Sequence, residues 1–428
     1  MRKILIFLIL SIGLLAGVIW LADDERLSEE SRTWREWHDL HLDQPGEAWL
    51  WMLGLQAPAG HRPDDAGSRW LEQARRELAS SDDQAATVLL ASLAPWHDRP
   101  LSLPDESSLE QLLETRDPQA LEMLDAFLAE HAELLDRFRE WPVQTRSLVV
   151  AAPDSRNLPQ MQALVAAVEL DRLAQLGQLL RGEPEQALAL AEHSDRQLRA
   201  LLAAAPNRMV LMTAVRLLAD QTEWLLTLHR DGLIELRPDT PMLADLDQVA
   251  QGVEAALRGE FGLSYRFNQV FEEPDLGEDA GWWDRLKFRW LYKPDMTLNR
   301  TVNLYRWVAA LHRPTDLSAL GQGHEPIWPV PQQPRNLFAY GRYNMLPEAQ
   351  PFLAYVGRIH DLSARLALAR GWLAEPVLDE PALNRIARLN PYRRGHGIRL
   401  EAQARLLCFE GPFRDPEHLR CIGLADES

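Results

Sequence analysis

Residues 158–181 read LPQMQALVAAVELDRLAQLGQLLR, a run long enough for about six turns of α-helix. Leu164 and Val168 belong to an apolar stripe at the 3.6-residue period of a helix. We interpret Asp171 and Gln175 as part of a second stripe, which alternates with the first and faces solvent. The run therefore predicts an amphipathic helix that buries one face against its neighbours.

Similar runs follow one another along most of the chain and predict a mainly α fold class. Gly182 and Pro184 mark a boundary between two of them. The predicted helices cover residues 68–80, 83–93, 107–115, 118–140, 158–181, 184–205, 208–230, 241–258 and 345–375. The helical pattern weakens after Gly259, and residues 405–410 and 419–424 predict a possible small β-hairpin near the C-terminus.

An uncharged apolar segment follows Arg2 and Lys3 and extends from Ile4 to Ala22. As a helix it would be about 28 Å long at ~1.5 Å per residue, close to the ~30 Å hydrocarbon layer of a bilayer. The basic residues before it favour a cytoplasmic N-terminus. We therefore expect one transmembrane anchor in a bacterial inner membrane, with the rest of the chain in the periplasm.

A cleaved signal peptide is the alternative interpretation of the same segment. Cleavage requires small residues one and three positions before the cut. Ala22 meets the first requirement, whereas Trp20 does not meet the second. The uncleaved anchor is the preferred prediction.

These patterns divide the chain into four segments. They are the cytoplasmic N-terminus with the anchor (1–22), a juxtamembrane connector (23–67), a helical domain (68–258), and a second helical region with irregular segments and the C-terminal hairpin (259–428).

The composition is that of a globular, acidic protein. Hydrophobic residues make up 46% of the chain, which is ordinary for a folded domain. Acidic residues number 63 against 45 basic ones, and the formal net charge is −18. Nucleic-acid binding requires a basic face, so the charge argues against a nucleic-acid partner.

The chain contains two cysteines, Cys408 and Cys421, thirteen positions apart. In an oxidising compartment two such residues are candidate disulfide partners. A bridge would close a short loop and stabilise the fold by about 3 kcal/mol in the chain-entropy description.

Five segments resemble an uncharacterised family of bacterial envelope proteins, which have one membrane anchor and a helical body. The segments are EAWLWMLGLQAP (47–58), HAELLDRFREW (131–141), LYKPDMTLNRTVN (291–303), YVGRIHDLSARLALA (355–369) and LNPYRRGHG (389–397). The resemblance implies the anchored topology and the helical body. The family has no assigned activity, so it implies no catalytic residue.

Two groups of histidines and acids are candidates for metal binding. The dipeptide His360-Asp361 could supply adjacent ligands in a metal-dependent phosphohydrolase, which would need further ligands from elsewhere. Near the anchor, His38 and His41 are three residues apart, and Asp39 and Asp43 lie beside them, a combination that suits zinc. For both groups we favour the simpler interpretation of a structural role, and we predict no catalytic residue, metal or cofactor.

The segment WWDRLKFRWLYK (282–293) is basic and aromatic within an acidic protein. Such segments lie at lipid surfaces or bind partner proteins. The candidate surface residues are Trp282, Trp283, Arg285, Lys287, Arg289, Trp290 and Lys293. A core helix with extended arginine side chains is the alternative.

These observations favour a non-enzymatic interaction or scaffold protein, anchored in the inner membrane through residues 4–22 and bound to other envelope proteins. Two alternatives remain. One is a membrane-anchored hydrolase, for which His360 and Asp361 are the first residues to test. The other is a helical module that binds a lipid or a hydrophobic small molecule.

Overall fold

The computed structural model describes residue 13 and residues 26–41, 45–80, 118–144, 161–246, 249–272, 281–282, 294–311, 349–375, 377–392, 397–401, 403–415 and 417–424. Within them lie twelve α-helices and one small sheet, so the mainly α prediction is confirmed. The predicted helices at 83–93 and 107–115 lie outside the described residues.

The helices are numbered in chain order. They are α1 (Glu29–His41), α2 (Glu47–Leu53), α3 (Pro63–Ser80), α4 (Pro118–Glu130), α5 (Ala132–Arg139), α6 (Met161–Leu180), α7 (Pro184–Ala204), α8 (Arg208–Arg230), α9 (Val249–Glu272), α10 (Pro294–Ala310), α11 (Ala349–Leu373) and α12 (Glu380–Ala387). Short 3-10 helices occur at Pro142–Gln144 and Pro241–Leu243.

Helices α6, α7 and α8 pack in sequence and form the middle of the body. Gly182 ends α6 with a φ of 79°, which a residue without a side chain adopts at no steric cost. The amide of Glu183 then donates to the carbonyl of Gln178 at 2.9 Å, and Pro184 starts α7. The predicted boundary between these two helices is confirmed.

One hydrophobic core connects the described parts of the chain. It includes Trp34 of α1, Trp49 of α2, Leu164 of α6, Ile359 of α11 and Ile422 near the C-terminus. The segments predicted as connector, helical domain and second region thus contribute side chains to the same core.

The interpretation of α6 as a helix with a solvent-facing polar stripe is wrong. Asp171 and Gln175 are buried, with exposed fractions of 1% and 0%. Steps of three and four residues from Leu164 and Val168 return to the same side of a helix, so the polar pair lies on the stripe that packs against α7 and α8. Its polar atoms are satisfied inside the protein.

The prediction of a helix end at Arg258 is also wrong. Helix α9 continues through Gly259 to Glu272, and the predicted segment boundary between residues 258 and 259 falls inside it. The backbone at Gly252 lies against the carbonyl of Leu202, and Gly259 lies against that of Pro206. A β-carbon at either glycine would collide with that oxygen, so these glycines permit close packing of α9 on the end of α7 and the turn after it.

The C-terminal region forms a three-stranded antiparallel sheet in the order β1 (Ile398–Glu401), β2 (Leu406–Phe409) and β3 (Cys421–Gly423). The pairing of β2 with β3 confirms the predicted hairpin, and β1 adds a strand that the sequence analysis missed. The sheet packs on α11 and α8 through β2 and β3.

No helix among the described residues combines the length and the apolarity that crossing a bilayer requires. Of the predicted anchor, residues 4–22, only Gly13 lies within the described residues.

Candidate functional site

A buried polar cluster lies where α11 meets the C-terminal sheet, and we call it the Asp361 cluster. Asp361 Oδ1 accepts hydrogen bonds from the hydroxyl of Tyr392 at 2.6 Å and from Nη1 of Arg420 at 3.2 Å. The other member, Asp415, lies with its Oδ2 3.7 Å from Nε of Arg420. All three of Asp361, Tyr392 and Arg420 are buried.

The turn before β3 positions the arginine of this cluster. Asp415 accepts from the backbone amides of Leu419 at 2.8 Å and Arg420 at 2.9 Å. Nη2 of Arg420 donates to the carbonyl of Phe413 at 2.9 Å. Its guanidinium therefore joins the turn to α11, and a side chain at the adjacent Gly411 would collide with it.

Burial governs the ionisation of the Asp361 cluster. Desolvation raises the pKa of Asp361 to about 6, although Arg420 and Tyr392 act in the opposite direction. Desolvation and the nearby Asp361 carboxylate also raise the pKa of Tyr392. At neutral pH the cluster holds a carboxylate between an arginine and a neutral tyrosine, an arrangement that fastens α11 to the sheet.

His360 does not share a site with Asp361. Its Nε2 lies 3.2 Å from the carbonyl of Leu311, at the end of α10, on a different side of α11. Neighbouring residues of a helix project about 100° apart, so the dipeptide serves two separate contacts. Within the described residues, the grouping of three or more His, Cys, Asp or Glu side chains with metal-ligand spacing is Cys408, His418 and Cys421, and it contains neither His360 nor Asp361.

A second charged group lies nearby and joins three elements. Glu223 of α8 accepts from Nη2 of Arg365, on α11, at 2.5 Å and from Nη2 of Arg230 at 2.9 Å. The guanidinium of Arg230 lies against the backbone of Gly423 in β3. The carboxylate thus holds α8, α11 and the sheet together.

No family model, curated protein or solved structure matches the chain.

The segment that follows the predicted anchor is fastened to the body. Trp34 of α1 is buried and contacts Phe261 of α9 and Tyr305 of α10, with ring centroids 5.5 Å and 6.5 Å away. Asn299 of α10 binds the backbone just before α1, and Arg306 forms an ion pair with Glu30. Helix α1 therefore lies in a groove between α9 and α10.

The candidate zinc ligands near the anchor are only partly within the described residues. His38 is buried, and its ring packs edge-on against Tyr265 with centroids 5.6 Å apart. Asp39 is exposed. The side chain of His41 and all of Asp43 lie outside the described residues.

The basic and aromatic segment is described only at its first residue. Trp282 has 64% of its surface exposed. The other candidate surface residues lie outside the described residues: Trp283, Arg285, Lys287, Arg289, Trp290 and Lys293.

The two cysteines that the sequence analysis pairs form a disulfide in the structure. They face each other across β2 and β3, in the pair Cys408–Cys421 of the strand register. Nδ1 of His418 lies 3.9 Å from Sγ of Cys421.

Arg137 was not predicted from the sequence to have a role, yet its side chain forms hydrogen bonds with four distant backbone carbonyls. Arg137 of α5 is buried, and its guanidinium donates to the carbonyls of Leu55, Ala57, Pro58 and His61 between α2 and α3. It also pairs with Glu133 at 2.6 Å. Its position between apolar residues of a predicted helix indicates burial. The loop that it binds is about 80 positions away, so no local sequence pattern predicts the contact.

Proposed function

We propose that this chain is a single-pass protein of the bacterial inner membrane, whose helical body lies in the periplasm and binds other envelope proteins. The body acts as a scaffold rather than as an enzyme. Residues 4–22 remain attached to it and hold it at the membrane.

The observation that carries the proposal is the attachment of the segment after the anchor. Nδ2 of Asn299 donates to the carbonyl of Arg26 at 3.0 Å, only four positions after Ala22. A chain that is bound to the body so soon leaves no long linker. The anchor would therefore hold the body against the bilayer in one orientation, as a scaffold requires, instead of leaving it on a flexible stalk.

The basic and aromatic segment directly precedes, in the sequence, the helix that holds the residues after the anchor. Lys293 immediately precedes Pro294, the first residue of α10, and Asn299 follows about one and a half turns later. Basic and aromatic side chains beside an anchor suit contact with lipid headgroups or with a membrane-bound partner. We therefore place residues 282–293 at the binding surface of the scaffold.

The charged groups of the interior support a binding role in another way. Glu223 and Asp171 each bind an arginine from another helix, and Asp361 binds one from the turn before β3. Their charges are used to fix the relative positions of helices, which gives the body a defined outer surface.

The orientation of the chain can be tested in spheroplasts, where the outer face of the inner membrane is open to added protease. The proposal expects digestion of the body from outside and a mature N-terminus that retains Ile4–Ala22. A chain that begins after Ala22, or a body that only cytosolic protease can reach, would contradict it.

Partner binding can be tested by cross-linking in intact membranes. Replacing Arg285, Lys287 and Arg289 by Glu should remove the cross-linked species. The matched control replaces the exposed residues Arg196, Arg216 and Arg237 by Glu, with the same change in charge. Identical cross-links in both variants would show that the segment is not the binding surface.

A crevice in the body favours a second candidate function, the binding of a hydrophobic small molecule. It lies between α8, α9, α10 and α11 and, with its open mouth, contains about 270 Å³ of empty space. Its lining is mainly aliphatic and aromatic: Leu211, Val253, Ala256, Leu257, Val308, Phe352, Tyr355 and Val356, together with Arg208 and Glu260. The enclosed part of this space is only about 20 Å³, room for one water molecule, so an acyl chain would enter by pushing the apolar side chains of the lining apart.

The second candidate is tested by saturable binding of radiolabelled decanoic acid to the full chain in detergent. Val253→Trp should fill the crevice and abolish binding. Val165→Trp, on the exposed side of α6, is the control and should leave binding unchanged. Equal binding by the two variants would exclude the crevice.

A further inference from the structure

Three side chains with the chemistry of zinc ligands meet at the edge of the C-terminal sheet. One ligand atom from each of Cys408, His418 and Cys421 lies within 4.8 Å of the other two. We infer that, in the dithiol form of the chain, these three side chains bind one divalent metal ion of the zinc type. We call this group the Cys-His cluster.

The strand register places the two sulfurs on the same side of the sheet. Cys408 and Cys421 are direct partners across β2 and β3, with their Cα atoms 4.1 Å apart. The amide of Phe409 donates to the carbonyl of Arg420, so the cysteines form a non-hydrogen-bonded pair, the kind in which side chains are closest. When the sulfurs are not joined, rotation about each Cα–Cβ bond moves them apart.

The turn before β3 aims the imidazole at the same point. His418 has a φ of 52°, a left-handed conformation that few residues other than glycine adopt. Asp415 stabilises this turn, because its carboxylate binds the next two backbone amides and its carbonyl accepts from the amide of His418 at 3.3 Å. The carbonyl of His418 in turn accepts from the amide of Cys421 at 3.0 Å. An unfavourable backbone conformation that surrounding contacts impose is common at functional sites.

The spacing agrees with tetrahedral zinc. Bonds of about 2.3 Å to sulfur and about 2.0 Å to nitrogen place neighbouring ligand atoms roughly 3.5 Å apart. Nδ1 of His418 is already 3.9 Å from Sγ of Cys421. A water molecule can occupy the fourth position, because Oε1 of Glu401, 4.0 Å from Sγ of Cys408, forms an ion pair with Arg399. His418 is exposed, so the ion can enter from solvent.

Metal binding and disulfide formation compete for the same two sulfurs. The cysteines are incorporated as thiols during synthesis, and the metal displaces one proton from each thiol as it binds. When an external disulfide oxidises the two thiols, it is itself reduced to two thiols, and the bridge that forms removes both thiolates as ligands and leaves His418 alone. The Cys-His cluster therefore has two exclusive states: the dithiol with metal, and the disulfide without it.

The test uses cobalt(II), which replaces zinc and absorbs light when thiolates bind it. The full chain in detergent is reduced under argon with a phosphine. Phosphine, disulfide and water give phosphine oxide and two thiols, so no competing thiol remains. We expect a thiolate-to-cobalt absorption band that saturates at one cobalt per chain and disappears when zinc is added.

Two variants and the oxidised chain define the site. Cys421→Ser should abolish the band. His418→Asn keeps a residue that tolerates left-handed backbone and should weaken cobalt binding at least about tenfold. His61→Asn, at another exposed histidine, should bind cobalt as the unaltered chain does. Circular dichroism of each reduced variant checks that the helices persist.

Absence of the band from the reduced chain would overturn the inference. So would a band of equal strength in His418→Asn and His61→Asn, or one that remains in the oxidised chain. These outcomes do not depend on whether the body binds a partner protein.

Discussion

Asn299 accepts a hydrogen bond from the backbone amide of Ser28 at 2.8 Å, although 271 positions separate the two residues in the sequence. The same amide side chain donates to the carbonyl of Arg26. One residue of α10 thus fixes two backbone groups of the segment that leads out of the predicted anchor. The direction in which the chain leaves the body is set by this contact and by the packing of Trp34.

Asn299→Ala should loosen this attachment. The substitution removes two partly buried hydrogen bonds, each of which contributes about 0.5–1.5 kcal/mol. We expect lower stability to urea and faster proteolysis after Arg26 and Arg32. Asn303→Ala, one turn along the same helix at an exposed position, is the matched control. Equal proteolysis of the two variants would show that Asn299 does not hold the segment.

The sequence predicts those parts of the fold that depend on residues close together in the chain. The boundary between α6 and α7 follows from Gly182, Pro184 and the apolar period, because helix ends are determined within a few residues. The shorter period of residues 405–410 and 419–424 predicts the hairpin. Local patterns of this kind survive in the folded protein.

Contacts between elements that are distant in the sequence decide the features that local patterns did not predict. Asp171 has the sequence pattern of a surface residue, yet it is buried. Its carboxylate is satisfied there, because Nε of Arg139, on α5, donates to Oδ1 at 2.9 Å and Gln175 donates to Oδ2. Gly259 looks like a helix end, yet it is a point of close packing against Pro206. In both cases the partner is remote in sequence, so composition and period carry no signal of it.

The Asp361 cluster should make stability depend on pH. The pKa of Asp361 is about 6 in the folded chain against 3.8 for an ordinary aspartate. Between these values the folded chain binds more protons than the unfolded chain, so the contribution of this group to stability is full below pH 4 and is lost as pH rises to about 6. Asp361→Asn cannot ionise and should flatten the decline in melting temperature between pH 4 and pH 6.

Some decline should remain in that variant. Burial also raises the pKa of Asp195 to about 6 and raises that of Asp171, and these groups act with the same sign. Asp220→Asn, at a partly exposed position, removes the same charge and serves as the control. If Asp361→Asn and Asp220→Asn gave the same pH profile, Asp361 would not be the titrating group.

The Glu223 contact should be more important than exposed ion pairs of the same type. Arg365→Met removes a buried guanidinium that donates to a carboxylate and should destabilise the fold by about 1.5–3 kcal/mol. Arg216→Met breaks an exposed pair with Asp220 and should cost less than about 0.5 kcal/mol. Urea unfolding of both variants measures the difference. Equal midpoints would mean that solvent screens the Glu223 contact as fully as the exposed one.

Arg137 provides the sharpest test of the described fold, because its side chain alone binds four backbone carbonyls of the loop between α2 and α3. Its pKa is lowered by burial, while Glu133 acts in the opposite direction. Lysine keeps the positive charge, but its single ammonium group cannot replace a planar guanidinium whose two terminal nitrogens donate to four carbonyls. Arg137→Lys should therefore destabilise the protein by about 2–4 kcal/mol, since several charged hydrogen bonds are lost together.

The accompanying structural change should be local. The carbonyls of Leu55, Ala57, Pro58 and His61 lie between α2 and α3, so hydrogen exchange in residues 54–62 should accelerate before it does in α6 or α8. Arg62→Lys is the control, because its bond to Asp64 is exposed and its loss should cost less than about 1 kcal/mol. Only the guanidinium contacts all four carbonyl oxygens at once. Uniform exchange in Arg137→Lys, or equal stability of the two variants, would therefore show that the loop keeps its conformation without these contacts.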